Sequence, residues 1–203
     1  MNHREYTLFM SQRSPFARRI RLALARLQFS AQELPIDVFQ QNVEFWNLNP
    51  LGMVPTLLAP EGIALSDSSA ILEYLHEKTG RIWCDSFADR TLERQTSVWC
   101  KGIMQSSILF FQEKFMHEAP SPRWLEEHAT SICDTLLHLS KLNGSVWEKN
   151  KILTQPAWDL AVALQYCSLR LPEIKWEEQY PAFQKLVATA LQDSFFRESQ
   201  PLV

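Results

Sequence analysis

At Gly80 the pattern of the chain changes in kind, and this change restricts the fold more than any other feature of the sequence. Before it, short runs of strand-forming residues alternate with helical patterns. From about Phe87 onward helical patterns follow one another, broken at Pro120-Ser121-Pro122, Asn143-Gly144, Gln155-Pro156 and Tyr180-Pro181. Segregation of this kind predicts an α/β domain over residues 1–80 followed by an all-helical (all-α) domain over 87–203. With 203 residues, 46% of them apolar, the chain can build a core in each half.

In the first half the expected order is βαβ, then ββα. Tyr6-Thr7-Leu8-Phe9-Met10 reads as a strand, ended by the polar Ser11-Gln12-Arg13-Ser14. Ser14-Pro15 reads as the N-cap and first residue of a helix. Phe16, Ala17, Ile20, Ala23, Leu24 and Leu27 then fall within about 120° of one another, with Leu22 the one misfit. Arg18, Arg19, Arg21 and Arg26 share the opposite side and read as a solvated basic face. Residues 32–37 suit a second strand and 41–48 a short, irregular helix or loop. Val54 to Leu58 and Ile63-Ala64-Leu65 flank Ala59-Pro60-Glu61-Gly62 as a hairpin. Ser66-Asp67-Ser68 then caps a helix that stops at Gly80. In the second half, residues 157–171 are apolar nearly all round, which predicts a buried central helix.

Scarce residue types exclude several chemistries. The five glycines are at least ten positions apart, so neither G-x-G-x-x-G nor G-x-x-x-x-G-K can be written anywhere. The four cysteines, Cys84, Cys100, Cys133 and Cys167, are no closer than sixteen positions, and no H-x-x-x-H occurs. Metal and dithiol redox sites therefore lose their sequence signal, and the thiols read as core residues. Twenty Lys+Arg against 23 Asp+Glu give a net charge of −3, with no basic field for nucleic acid. No apolar run approaches the roughly 20 residues of a membrane span, and Met1-Asn2-His3-Arg4-Glu5 opens no signal-peptide segment, so a cytoplasmic protein is expected.

Three segments of the first half point to one kind of site. Ser11-Gln12-Arg13-Ser14 places hydroxyls at a helix N-terminus, where free N–H groups and the helix dipole favour a thiolate, although Ser14 also serves as an ordinary cap. Asn49-Pro50-Leu51-Gly52-Met53-Val54-Pro55 puts a proline at a strand start, where a cis bond would turn the Val54 backbone outward to pair with an extended peptide. Ser66-Asp67-Ser68-Ser69 again offers hydroxyls and helix N–H groups, suited to a carboxylate. A thiolate pocket, a backbone clamp and a carboxylate pocket together match glutathione, which carries a thiol, peptide bonds and carboxylates.

In the ordered set Ser14-Pro15-Phe16-Ala17-Arg18-Arg19-Ile20-Arg21, Asn49 to Leu57 and Asp67 to Leu75, the chain resembles the cytosolic glutathione transferases across essentially its whole length. The resemblance implies a thioredoxin-like N-terminal domain carrying a glutathione site, an all-helical C-terminal domain carrying an apolar second-substrate site, and a homodimer joined through the 67–80 helix and the first C-terminal helix. It places Ser14 at the catalytic serine or cysteine position, with Ser11 as the rival that matches the bacterial beta-like class. It gives Val54 the backbone clamp, Pro55 the cis-proline, and Asp67 and Ser68 the γ-glutamyl end. Gln40, Gln41, Asn42 and Trp46 are what the chain offers to the glycyl carboxylate. Trp99, Met104, Phe110, Phe111, Phe115 and Met116 are candidates for the electrophile site. Where the family commonly opens its central helix with a capping box, this chain has Pro156-Ala157-Trp158-Asp159, so the cap is expected to cost ~1 kcal/mol unless Thr154 compensates.

The implied activity is conjugation of glutathione to an apolar electrophile, a detoxification chemistry. Two other readings stand beside it. One is an inactive binding module similar to the stringent starvation protein A group, docking through the arginine face. The other is a glutathione-dependent isomerase or dehalogenase, which shares the site and differs in its second substrate.

Overall fold

The computed structural model describes residues 5–40 and 42–201. The chain separates into two compact units, one running to Ile82 and including the segment from Phe195, the other Trp83–Ser194.

The first unit is built on a four-stranded sheet of order β2-β1-β3-β4. Its elements are β1 (Tyr6–Met10), α1 (Pro15–Leu27), β2 (Ala31–Pro35), α2 (Val43–Leu48), β3 (Thr56–Leu58), β4 (Ala64–Leu65) and α3 (Ser68–Thr79). Strands β1 and β2 run parallel, Tyr6 opposite Ala31, while β3 runs antiparallel to β1 and to β4. Phe9 stacks on Phe45 of α2 at 5.4 Å between ring centroids, and by strand alternation Leu8 and Met10 face the other way. Leu8, Ile20, Leu57, Ile71, Leu72 and Leu75 form the buried core. Local chemistry fixes the helix ends. Ser14 Oγ accepts from Ala17 N at 3.2 Å, Asp67 Oδ1 from Ser69 N at 2.9 Å, and Gly80 ends α3 with φ +64°. The expected strand and helix order is thus found, with β2 starting one residue early and β3 starting only after Pro55.

The arginine face corrects the sequence reading. Arg18 and Arg19 are 3% and 1% exposed, and the half-buried Arg21 donates its Nε–H to Glu33 at 2.7 Å, so two of the four arginines are not solvated and a third is paired. Long-range partners cover the buried two: Arg19 reaches Ser68 of α3, and Arg18 the segment from Phe195. Leu22, the misfit of the helical pattern, is buried as well.

The second unit holds α4 (Phe87–Met116), α5 (Pro122–Leu139), α6 (Gln155–Arg170), α7 (Trp176–Gln179), α8 (Pro181–Ala190) and the start of α9 (Ser194–Glu198). Helix α6 is the expected central helix, buried along nearly all of its length and packed on α4 and α8. Two features depart from expectation. A small hairpin, β5 (Glu148–Lys149) with β6 (Ile152–Leu153), interrupts the all-helical half, its turn made by Asn150 and Lys151 at positive φ. The cap of helix α6 also lies two residues before the expected position. Thr154 is the N-cap, its Oγ1 accepting from Ala157 N at 3.4 Å, and Pro156 occupies the second helical position, where its missing N–H costs nothing. Asp159, fully buried, accepts from Gln155 Nε2 at 2.8 Å and from Ser97 Oγ, tying α6 to α4. Among the described residues no helix is long and apolar enough to cross a membrane.

Asp159→Ala removes the acceptor shared by Ser97 and Gln155. It should destabilise the protein by about 3 kcal/mol, since two buried donors lose this charged acceptor. Urea unfolding would show this as a lower midpoint at unchanged slope.

Candidate functional site

Strand direction brings the three segments together. Phe9 near the end of β1 lies opposite Thr56 at the start of β3, and Leu57 lies opposite Leu65 at the end of β4. Ser11-Gln12-Arg13-Ser14 leaves β1, Val54-Pro55 enters β3 and Ser66-Asp67 leaves β4, all at one end of the sheet. The N-termini of α1 and α3 open there too. A hydrogen bond from Arg19 Nη1 to Ser68 Oγ, 3.0 Å long, joins the two helices.

At the start of α1 the loop is a tight turn, with Ser14 N donating to Ser11 O at 3.0 Å. Both serines are half-buried. Ser14 Oγ already accepts from Ala17 N, which leaves its O–H proton to donate outward. The Phe16 N–H has no partner among the described residues, as expected of the second helical position. Ser11 Oγ accepts from Arg13 N at 3.4 Å and caps no helix. The arrangement therefore presents two donors, the Ser14 hydroxyl and the Phe16 amide, at a helix end that favours an anion. The Phe16 amide escapes sequence reasoning that looks only at side chains; the Ser-Pro start of the helix was its signal.

At the start of β3 the Val54–Pro55 peptide is cis, as is Ser66–Asp67. Among the described residues the Val54 backbone N–H and carbonyl have no hydrogen-bond partner. Asn49, which sequence reasoning named only as the start of the segment leading to Pro55, is buried and holds this loop in place. Its Nδ2 donates to Met53 O and Thr56 Oγ1, each at 2.9 Å, and its Oδ1 accepts from Leu51 N at 3.1 Å. Gly52 adopts φ +62°, and a Cβ there would stand 2.9 Å from Trp46 Nε1, so the close approach of indole and backbone requires glycine.

At the start of α3 Asp67 is exposed and its carboxylate caps its own helix. Ser68 is buried. Its Oγ is the acceptor for Arg19, so only its O–H and N–H remain to donate. Of the residues offered to a glycyl carboxylate, Asn42 is committed as the cap of α2, its Oδ1 accepting from Phe45 N at 2.9 Å. Gln40 and Trp46 are exposed, and Gln41 lies outside the described residues.

In the second unit the candidate apolar residues divide. Met104 and Phe110 are core, Trp99 meets the His138 ring at 4.4 Å, and Phe111 and Phe115 stack at 4.7 Å with Phe115 and Met116 largely exposed. Cys100 and Cys167 are buried, and burial pushes the Cys167 thiol up to about 12. Among the described residues no group of three or more His, Cys, Asp or Glu is placed to hold a metal ion.

Comparison with known proteins agrees with this geometry. Residues 8–82 match the family described as Glutathione S-transferase, N-terminal domain. A glutathione S-transferase from Methylobacterium radiotolerans, solved with glutathione sulfonate, superposes with a TM-score of 0.90 at 26% identity, covering 98% of this chain and 96% of that one. A glutathione transferase family member from Pseudomonas fluorescens, solved with bound glutathione, gives 0.87 at 23% identity, covering 98% of this chain and all (100%) of that one. Among curated proteins, a maleylacetoacetate isomerase of Pseudomonas aeruginosa is 38% identical over 76 residues, 35% of this chain. A zeta-class glutathione S-transferase of Euphorbia esula is 36% identical over 80 residues, 38% of this chain. The matched segments span only about a third of these curated relatives, 36% and 35% of their lengths. Residues 8–82 are thus a glutathione S-transferase N-terminal domain, and the chain has the thioredoxin-like plus all-helical glutathione S-transferase fold.

Gly52→Ala should cost about 1 to 3 kcal/mol, because alanine is strained at positive φ and its methyl meets Trp46. Gly102→Ala, inside α4 with open space around it, should be neutral or stabilising. Parallel urea titrations of the two variants would show the contrast.

Proposed function

We propose that the protein is a glutathione-dependent enzyme whose first unit binds glutathione as cosubstrate and activates its thiol for attack on an apolar electrophile. The observation that carries this reading is the convergence, at one sheet end, of two free thiolate donors, an unpaired Val54 backbone and the N-terminus of α3. Glutathione in one of the related structures and glutathione sulfonate in another support the choice of ligand. In this reading the Ser14 hydroxyl and the Phe16 amide donate to the sulfur, which lowers the thiol pKa because both bonds favour the charged form. The Val54 backbone pairs with the cysteinyl peptide, and Pro55 shapes that turn. The N–H and O–H of Ser68 donate to the γ-glutamyl carboxylate, and the exposed Asp67 carboxylate faces its ammonium group. With a hydroxyl in place of a catalytic thiol, the site favours conjugation over mixed-disulfide exchange. We further propose a cytoplasmic homodimer, supported by Leu92 and Val98 exposed on α4.

A second reading, a glutathione-dependent isomerase, is favoured by the identity to the Pseudomonas aeruginosa protein. It uses the same thiolate and differs in stoichiometry. A transferase consumes one glutathione per turnover, whereas an isomerase returns it, so measuring residual thiol against product separates the two.

Ser14→Ala should raise the pKa of bound glutathione by about one unit, equivalent to about 1.4 kcal/mol, and lower kcat at neutral pH with glutathione affinity retained. Loss of the cap adds ~1 kcal/mol of destabilisation, read separately by thermal unfolding. Ser11→Ala should leave the pH–rate profile in place. If Ser11→Ala abolishes activity and Ser14→Ala does not move the profile, Ser11 is the thiolate donor.

A further inference from the structure

Arg18 is buried at a position where the helical pattern asks for a solvated residue, and what buries it is the C-terminal segment. Its Nη2 donates to Phe196 O at 2.8 Å and its Nε to Ser199 Oγ at 3.3 Å. The guanidinium lies 4.3 Å over the Phe196 ring, and Arg21 stands 5.7 Å over Phe195. Phe196 and Ser199 are themselves buried, and Ser199 Oγ donates back to Phe196 O at 3.3 Å. Helix α9 has five residues, too few to hold a helix in water without tertiary contacts, so these interactions are what fix the segment.

The other end of the same residue lies at the proposed thiolate site. The Arg18 N–H donates to Ser14 O at 3.0 Å, the first full helical bond of α1. Ser14 Oγ accepts from the preceding amide, Ala17 N. The residue that grips the C-terminal segment is therefore one hydrogen bond from the residue that presents the hydroxyl. Burial pulls the Arg18 guanidinium down from its usual range to about 10, helped by Arg21, and its Nη1 is buried with no partner among the described residues. An apolar side chain would pack here without that desolvation cost. The donors of an arginine are explained if its direction, held by two acceptors and a ring, is what matters.

We propose that Arg18 is a positioning residue through which the segment from Phe195 to Ser199 fixes the first turn of α1, and with it the direction of the Ser14 hydroxyl and the Phe16 amide toward the thiol. The effect on the thiol rests on the function proposed above; the effect on the first turn of α1 does not. A solvated arginine at this position would leave the turn to fray, as helix ends do when only local bonds hold them.

The test compares the wild-type chain with Arg18→Met and Ser199→Ala by two measurements. Amide hydrogen exchange should be roughly tenfold faster at Ala17 and Arg18 in Arg18→Met, with the core amides of α3 unchanged as a control against global loss of stability. The pKa of bound glutathione, read from thiolate absorbance against pH, should rise by about one unit with affinity retained. Ser199→Ala should move both in the same direction by less, and it carries the test if Arg18→Met does not fold. Wild-type exchange and wild-type thiol pKa in folded variants would overturn the proposal, as would uniform loss of protection across α1 and α3. Faster exchange at the first turn in a protein that never lowers the thiol pKa, even as wild type, would uphold the coupling and count against the transferase reading instead.

Discussion

Because β3 runs antiparallel to both of its neighbours, whatever leaves β1, enters β3 and leaves β4 is forced to the same end of the sheet. The first and last of these connections are polar and open directly into helices. A helix start carries N–H groups that nothing within the helix can satisfy, together with roughly half a positive charge. The sheet therefore collects two anion-favouring helix ends, α1 and α3, beside a strand entry whose backbone is unpaired at Val54 among the described residues. The ladder that stabilises the fold is also what assembles the site.

Hydrogen-bond direction then determines what the site can do. A serine hydroxyl has one proton and two lone pairs, and at Ser14 and Ser68 a lone pair is taken by the protein itself, from Ala17 N and Arg19 Nη1. Both hydroxyls are left as donors at the N-terminus of a helix. Ser11 lacks this bias because its oxygen is tied to the Arg13 amide outside any helix. The same reasoning separates Asn42, already spent on capping α2, from Asn49, whose three hydrogen bonds hold the loop that delivers Val54.

Features with a local physical cause were legible in the sequence. Ser14 before Pro15, Asp67 before Ser68 and Gly80 after Thr79 each act within one helical turn, and all three mark the helix ends found. The strand-forming run Tyr6 to Met10, ended by the polar Ser11, marked β1 at the bounds found. What stayed hidden depends on distant partners. Arg19 is buried because of a serine 49 positions away and Arg18 because of a carbonyl 178 positions away, and no helical wheel contains either. The hairpin at Glu148–Lys149 and Ile152–Leu153 has two-residue strands and a turn with lysine at positive φ, which leaves no pattern of strand formers to read. At α6 the misreading was one of register: Pro156 stands inside the helix rather than at its cap, and the capping hydroxyl is Thr154, two residues earlier.

The central claim is that the first unit binds glutathione and ionises its thiol, and calorimetric titration of the intact chain with glutathione at neutral pH, repeated in buffers of different ionisation enthalpy, addresses both halves at once. The account predicts saturable binding of one glutathione per chain with micromolar to millimolar affinity, accompanied by net release of protons as the bound thiol becomes a thiolate. Saturation without proton release would leave a binding site that does not activate its ligand, and the absence of any saturable heat at millimolar glutathione would contradict the account as a whole.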